Sequence, residues 1–227
     1  MTGLVISDLH LFAGRSDGEI LFAGLQDKLD SVDLLVLNGD TFDFRWSHFS
    51  TEEESINAAL QWLDLLRKKC PKLEIHYVLG NHDCLTRFRE RLPTSPNFHL
   101  HEFHLQLGSC IFLHGDCSNW SMTPEKLKKY RQDWSHDSPK GGLSKKIYRL
   151  VDTIGLNRLF HHLYFREAAT VARVERFLGN FLKGVTRCYF GHTHVPFSNH
   201  RRNGVKFFNT GSGIRGMGFN PQNFEVA

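Results

Sequence analysis

The stretch "YVLGNHDCL", Tyr77 to Leu85, decides the fold. Apolar residues run into Gly80, and then Asn81, His82 and Asp83 stand side by side. With Ile75 and His76 in front, the run reads as a short strand covered on both faces, because nearly every position is apolar rather than every second one. The polar trio falls at the carboxyl end of that strand, where open α/β sheets gather their ligands. Taken alone, it fits either a turn holding a hydrogen-bonded histidine or part of a reactive centre.

The same punctuation recurs along the chain. "LVIS" runs into Asp8-Leu9-His10, "DLLVLN" into Gly39-Asp40, and "CIFL" into His114-Gly115-Asp116. "RCYF" runs into Gly191-His192-Thr193-His194, and "VKFFN" into Thr210-Gly211-Ser212. Helical periodicity fills the gaps between the first strands. Residues 19–31 place Ile20, Leu21, Leu25 and Leu29 near one face, and Thr51-x-x-Glu54 is a capping box before Ile56, Leu60, Leu63 and Leu66. Strand alternating with helix over the first 80 residues predicts βαβ units with parallel strands.

Beyond them, Phe103, Leu105 and Leu107 alternate with polar residues, Gly108-Ser109 turns the chain, and Cys110 to Leu113 returns, which predicts a hairpin within 98–114. Residues 123–183 read as helices divided near Pro139-Lys140-Gly141-Gly142 and Gly155. Two strands follow, and the tail "GSGIRGMGFNPQ" is rich in glycine and loop-like. The expected organisation is one domain over 1–227 with a helical insertion, or lid, at about 123–183.

Composition narrows the class. Of 227 residues, 41% are hydrophobic and 23% charged, the balance of a folded chain rather than a disordered one. No apolar run approaches the roughly 20 residues that span a bilayer. The start, "MTGLVISDLHLF", has no basic n-region, so a signal peptide is not expected. Five scattered cysteines without a CxxC pair argue against a disulfide framework and for a reducing, cytoplasmic setting. Charge is uneven: residues 118–187 carry +8 against −4 for the rest. That segment suits a solvated helical face, or an anionic ligand or membrane surface. It lacks the aromatic-basic interleaving of nucleic-acid binders.

The strand-end clusters offer carboxylates, imidazoles and an amide, the donors of hard and borderline metals, without thiolates. Asp8 and His10 are two apart, as are His192 and His194, and extended side chains repeat every second residue, so each pair is expected to aim at one place. Asp40 can bridge two cations, and Asn81 and His114 add neutral donors. Together these seven residues suit two adjacent divalent ions.

Taken in order, Asp8-Leu9-His10, Gly39-Asp40-Thr41-Phe42-Asp43, Gly80-Asn81-His82-Asp83, His114-Gly115-Asp116 and Gly191-His192-Thr193-His194 resemble the signature of the calcineurin-like metallophosphoesterases, over residues 4 to about 213. The resemblance implies a four-layer α/β/β/α sandwich with two mixed sheets. It also implies two divalent ions, manganese first, with iron or zinc as alternatives. One ion would be held by Asp8, His10, Asp40 and His194, and the other by Asp40, Asn81, His114 and His192. His82 matches the family histidine that works on the phosphoryl group, with Asp83 expected to orient its ring and Asp43 to support a ligand. Asn209-Thr210-Gly211-Ser212 matches the closing strand and turn.

The "SDLHL" opening and the basic insertion also resemble the UDP-2,3-diacylglucosamine diphosphatases, which implies a lipid-linked substrate and peripheral contact with the inner membrane. That branch has Arg where this chain has His82. The alternatives are a phosphomonoesterase, a nucleotide or nucleic-acid phosphodiesterase, and a non-catalytic scaffold of the same fold, against which the full set of ligand positions argues.

Overall fold

The computed structural model of the chain describes residues 1–120, 122–136, 161 and 163–226. β1 (Thr2–Ile6), β2 (Leu34–Asn38), β3 (Glu74–Val78) and β4 (Phe98–His101) lie parallel in that order. β12 (Gln222–Glu225) closes the β1 edge in antiparallel register, so the first sheet runs β12-β1-β2-β3-β4. The second sheet contains β5 (His104–Leu107), β6 (Cys110–Leu113), β7 (Arg187–Phe190), β8 (Phe197–Arg202) and β9 (Val205–Asn209), ordered β5-β6-β7-β9-β8. Its central strands β6, β7 and β9 are parallel, and its edges β5 and β8 are antiparallel. A two-stranded ladder, β10 (Gly211–Ser212) with β11 (Gly218–Phe219), follows β9.

The described helices are α1 (Gly18–Ala23), α2 (Gln26–Asp30), α3 (Glu52–Lys69), α4 (Thr86–Arg89), α5 (Pro124–Trp134) and α6 (Glu167–Leu178). At α3 both capping-box bonds form: Thr51 Oγ1 accepts from Glu54 N, and the Glu54 carboxylate accepts from Thr51 N. They satisfy amides that a helix start leaves without intrahelical partners.

Three apolar clusters fill three interlayer spaces. Ile56 and Leu63 of α3 pack on Leu35, Leu37, Ile75 and Tyr77 outside the first sheet. Val5, Val36 and Val78 meet Phe112, Tyr189 and Phe208 between the sheets. Val171, Val174 and Leu178 of α6 pack on Ile111, Cys188, Phe190 and Phe207 outside the second sheet. Each such fully buried side chain contributes about 1.5–3 kcal/mol of hydrophobic transfer energy. The result is the expected α/β/β/α order.

Four details differ from the sequence reading. Gly24 interrupts the helix expected over 19–31, giving α1 and α2. A separate strand, β4, pairs with β3 ahead of the expected hairpin, which forms as β5 and β6. β8 and β12, unmarked in the sequence, occupy sheet edges, where polar residues face solvent and the alternation of a half-buried strand is lost. Within the expected insertion, α6 builds the outer layer of the second sheet, and Leu127 of α5 joins the same cluster. The divisions expected at Pro139-Lys140-Gly141-Gly142 and Gly155 lie outside the described residues. Among the described residues, no helix is long and apolar enough to cross a membrane.

Candidate metal centre

β1 ends at Ile6 and β7 at Phe190, so Asp8, His10, His192 and His194 all lie beyond their strands. Each has positive φ, at 52°, 47°, 64° and 57°, as does Asp40 at 50°. This corrects the expectation that strand alternation aims the paired ligands. Left-handed turns do so instead, a conformation that costs non-glycine residues energy and persists where neighbours over-determine it. Here they do. Asp8 N donates to Gly39 O, His10 N to Asp40 O, and Gly213 N to Asp8 O, each at 2.8–2.9 Å. Two motif glycines are needed for room: a Cβ on Gly80 would overlap the Asp40 carboxylate, and one on Gly191 the Asp8 carboxylate.

The seven expected ligands come together. His194 Nε2 lies 3.2 Å from Asp8 Oδ1 and 3.1 Å from His10 Nε2, and His10 Nε2 is 3.8 Å from Asp40 Oδ2. Asp40 Oδ2 is 3.3 Å from His114 Nε2, which stands 3.3 Å from Asn81 Oδ1 and 3.2 Å from His192 Nδ1. Three overlapping groups place one donor atom per residue within 4.8 Å of the rest: Asp8/His10/His194, His10/Asp40/His82 and Asp40/His114/His192. The sequence reading kept His82 outside the ligand set, yet it stands at the middle group.

The electrostatics follow from this crowding. Burial alone would raise the buried carboxyls, but the imidazoles beside Asp8, Asp40 and Asp43 hold all three well below the usual range. Burial likewise disfavours charge on His10 and His114, and the facing aspartates overcome it, raising them to about 9 and about 10. For His192 and His194 burial wins: His192 falls to about 4, and His194 drops well below the ordinary histidine value. Protons on two imidazoles therefore offset part of the charge of the three buried carboxylates.

Those features fit a pair of divalent ions. Asp8 Oδ1 is fully buried and faces two imidazole nitrogens, His194 Nε2 at 3.2 Å and His10 Nε2 at 3.7 Å. The facing imidazole nitrogens, 3.1 and 3.2 Å apart, converge their lone pairs unless a proton or a cation stands between them. Nitrogen and oxygen donors without thiolate match manganese, iron or zinc chemistry.

Around the cluster the structure reassigns one partner. Asp83 does not orient His82: its oxygens accept from Gly80 N, Thr41 N and Tyr77 Oη at 2.7–2.8 Å. It fastens two ligand-bearing loops together, with its carboxyl raised to about 6 by burial and by the nearby Asp40. Asp43 takes the orienting role, with Oδ1 2.9 Å from His82 Nδ1 and Oδ2 3.2 Å from His10 Nδ1. Asp116 forms a buried two-point pair with Arg131 at 2.8 and 2.9 Å, a structural use. Sequence reasoning missed Asn119, whose Oδ1 lies 2.7 Å from His192 Nε2, and His161, which stacks on His194 with centroids 4.8 Å apart. Neither stands in a strand-end motif, so no local signal marked it.

A cavity of about 340 Å³ opens over Asp40, Asn81, His82, His192 and His194. Arg15, Arg45, Trp46, Tyr130, Trp134 and Phe165 complete much of its wall. The Arg45 guanidinium lies 4.4 Å from the Trp134 ring, so cation and aromatic face the cavity as one unit.

The calcineurin-like phosphoesterase family model matches residues 1–196. A comparison with curated proteins returned no match. Among solved structures, the chain is similar to a dimetal phosphatase from Danio rerio at 13% identity, covering 94% of this chain and 88% of that one with a TM-score of 0.47. It is also similar to YfcE, a phosphoesterase from E. coli, at 15% identity, 99% and 88% coverage and a TM-score of 0.44. A double mutant of Vps29 from Entamoeba histolytica aligns at 15% identity, 100% and 87% coverage and a TM-score of 0.43. These likenesses are distant, and the match of the family signature over most of the chain carries the assignment. The chain belongs to the calcineurin-like phosphoesterase family and is a hydrolase of phosphoester bonds.

Proposed function

We propose that Asp8, His10, Asp40 and His194 hold one divalent ion and Asp40, Asn81, His114 and His192 a second, with Asp40 bridging. Manganese is the first choice of metal. The observation that carries this reading is the convergence of all seven donors, with the fully buried Asp8 Oδ1 among them. Two such ions, when bound, lower the pKa of a water and offset charge on a phosphoryl group during in-line attack.

The chain's own residues do the rest. The Asp43 carboxylate fixes His82 Nδ1, which leaves Nε2 to hydrogen-bond the phosphoryl group or hand a proton to the departing oxygen. Its side chain is 13% exposed, open to the cavity yet held by Asp43 and by Trp134, whose ring lies 4.9 Å away. Arg15 and Arg45 supply positive charge beyond the reacting phosphoryl group.

The finer reading is a diphosphate of the UDP-2,3-diacylglucosamine type, met at a membrane surface. Support comes from the basic segment 118–187 and from large apolar side chains exposed on it: Trp120 at 52%, Leu163 at 60% and Phe181 at 50%. Lysine, arginine and exposed aromatic residues together suit an anionic interface. The test is a manganese-supplemented panel of UDP-diacylglucosamine, a generic phosphodiester, a phosphomonoester and single-stranded DNA. Preference for the first supports the lipid reading. Turnover confined to one of the others reassigns the substrate, and none on any of them contradicts the metal reading.

A further inference from the structure

His192 has two ring nitrogens and only one can face an ion. Nδ1 points at His114 Nε2, 3.2 Å away, on the side of Asn81 and Asp40. Nε2 points the other way, to Asn119 Oδ1 at 2.7 Å. Phe165 meets the imidazole edge-on at 6.0 Å, and His192 N donates to Asp8 Oδ2 at 2.8 Å, so ring and backbone are both held.

Asn119 is itself fixed from three directions. It follows the 3-10 turn Asp116–Ser118, whose first residue is tied to Arg131 of α5. Ser118 O accepts from Arg173 of α6 at 3.1 Å, and Asn119 O accepts from the Tyr164 hydroxyl. Arg173 also stacks over the Tyr164 ring at 5.4 Å. A hydrogen-bond acceptor placed behind a ligating imidazole fixes its tautomer and raises its basicity, and removing one typically costs 10–100-fold in metal affinity.

We infer that Asn119 is a positioning residue: it accepts the His192 Nε2 proton, keeps the Nδ1 lone pair directed at one of the two ions, and is held there by Tyr164 and Arg173. The segment around α6 thereby supports the half of the centre that contains His192. This inference rests on the two-ion reading.

The experiment titrates the full-length, metal-free protein with Mn2+ by calorimetry and with Co2+ by visible absorption, for wild type, Asn119→Ala, Asn119→Asp and Tyr164→Phe. Wild type binds two ions. Asn119→Ala binds one as wild type does and the other about 10–100-fold more weakly, with a changed Co2+ spectrum for that ion alone. Asn119→Asp keeps an acceptor behind the ring and binds the second ion at least as tightly as wild type, which a merely space-filling role does not predict. Tyr164→Phe falls between wild type and Asn119→Ala. Two unchanged affinities in Asn119→Ala, or equal weakening in the Ala and Asp variants, overturns the assignment. Fewer than two ions in wild type overturns the underlying reading and this inference with it.

Discussion

Histidines gather at two places in this fold, and the two gatherings differ in the carboxylates they face. At the centre, His10 and His114 face fully buried aspartates and are raised to about 9 and about 10. At the edge of the first sheet, His76 of β3 and His99 and His101 of β4 form a ladder, with His76 Nδ1 3.1 Å from His101 Nε2. There burial comes first and neighbouring imidazoles add to it, so His76 and His101 fall to about 4. Glu74, 3.3 Å from His76 Nε2 and 3.1 Å from His99 Nε2, is the carboxylate at the ladder, and it is half exposed. Among the described residues, donor atoms converge on common points at the centre and not at the ladder, so proximity of imidazoles alone does not make a candidate cation site. Buried carboxylates between them do.

Several experiments break or sharpen that contrast. His82→Ala is expected to keep both ions while turnover falls roughly 10²–10⁴-fold, the span of a lost general acid. Wild-type turnover in a fully loaded variant removes His82 from the chemistry. Asp43→Asn weakens the supports of His10 and His82 together. The expected result is about 10–100-fold weaker binding of the ion at His10, measured by calorimetry. Unchanged affinity means that Asp43 serves only the fold. Replacing His76, His99 and His101 by Gln is expected to leave ion stoichiometry at two, and a lost ion would show that the ladder binds metal after all.

The smallest effect is on pH-dependent stability, and its sign differs between the raised pair His10 and His114 and the ladder. His10 and His114, raised in the folded chain above the ordinary 6.5, stabilise the metal-free protein below about pH 6.5, and that contribution disappears as pH climbs through 9 to 10. His76 and His101, lowered to about 4, keep their contribution above pH 6.5 and lose it as pH falls towards 4. Denaturant melts across pH should show both limbs. Bound ions should abolish the alkaline limb, because they replace the protons on His10 and His114, and the ladder variant should lose only its own share of the acid limb, since the lowered His192 and His194 contribute with the same sign. An alkaline limb that survives saturation with Mn2+ contradicts this account.

The sequence made some of this legible for physical reasons. A short apolar strand that ends in a polar cluster states both its burial and where its ligands emerge, so β1, β2, β3, β6, β7 and β9 and the donors after them could be read directly. The capping box at Thr51 placed the start of α3. Edge strands were hidden: "FSNHRR" of β8 is mostly polar because one of its sides meets water. The partner of His82 was misassigned because adjacency in sequence favoured Asp83, whereas the turn after β3 sends that carboxylate back to Gly80, Thr41 and Tyr77. Asn119 was invisible because its role depends on contact with a residue 73 positions away.

The most direct test of the central claim is metal content by elemental analysis after loading with Mn2+, for wild type and Asp40→Asn. The account predicts two ions per chain in wild type and at most one in Asp40→Asn, because Asp40 Oδ2 stands between His10 and His114. Two ions retained at full occupancy in Asp40→Asn would contradict it.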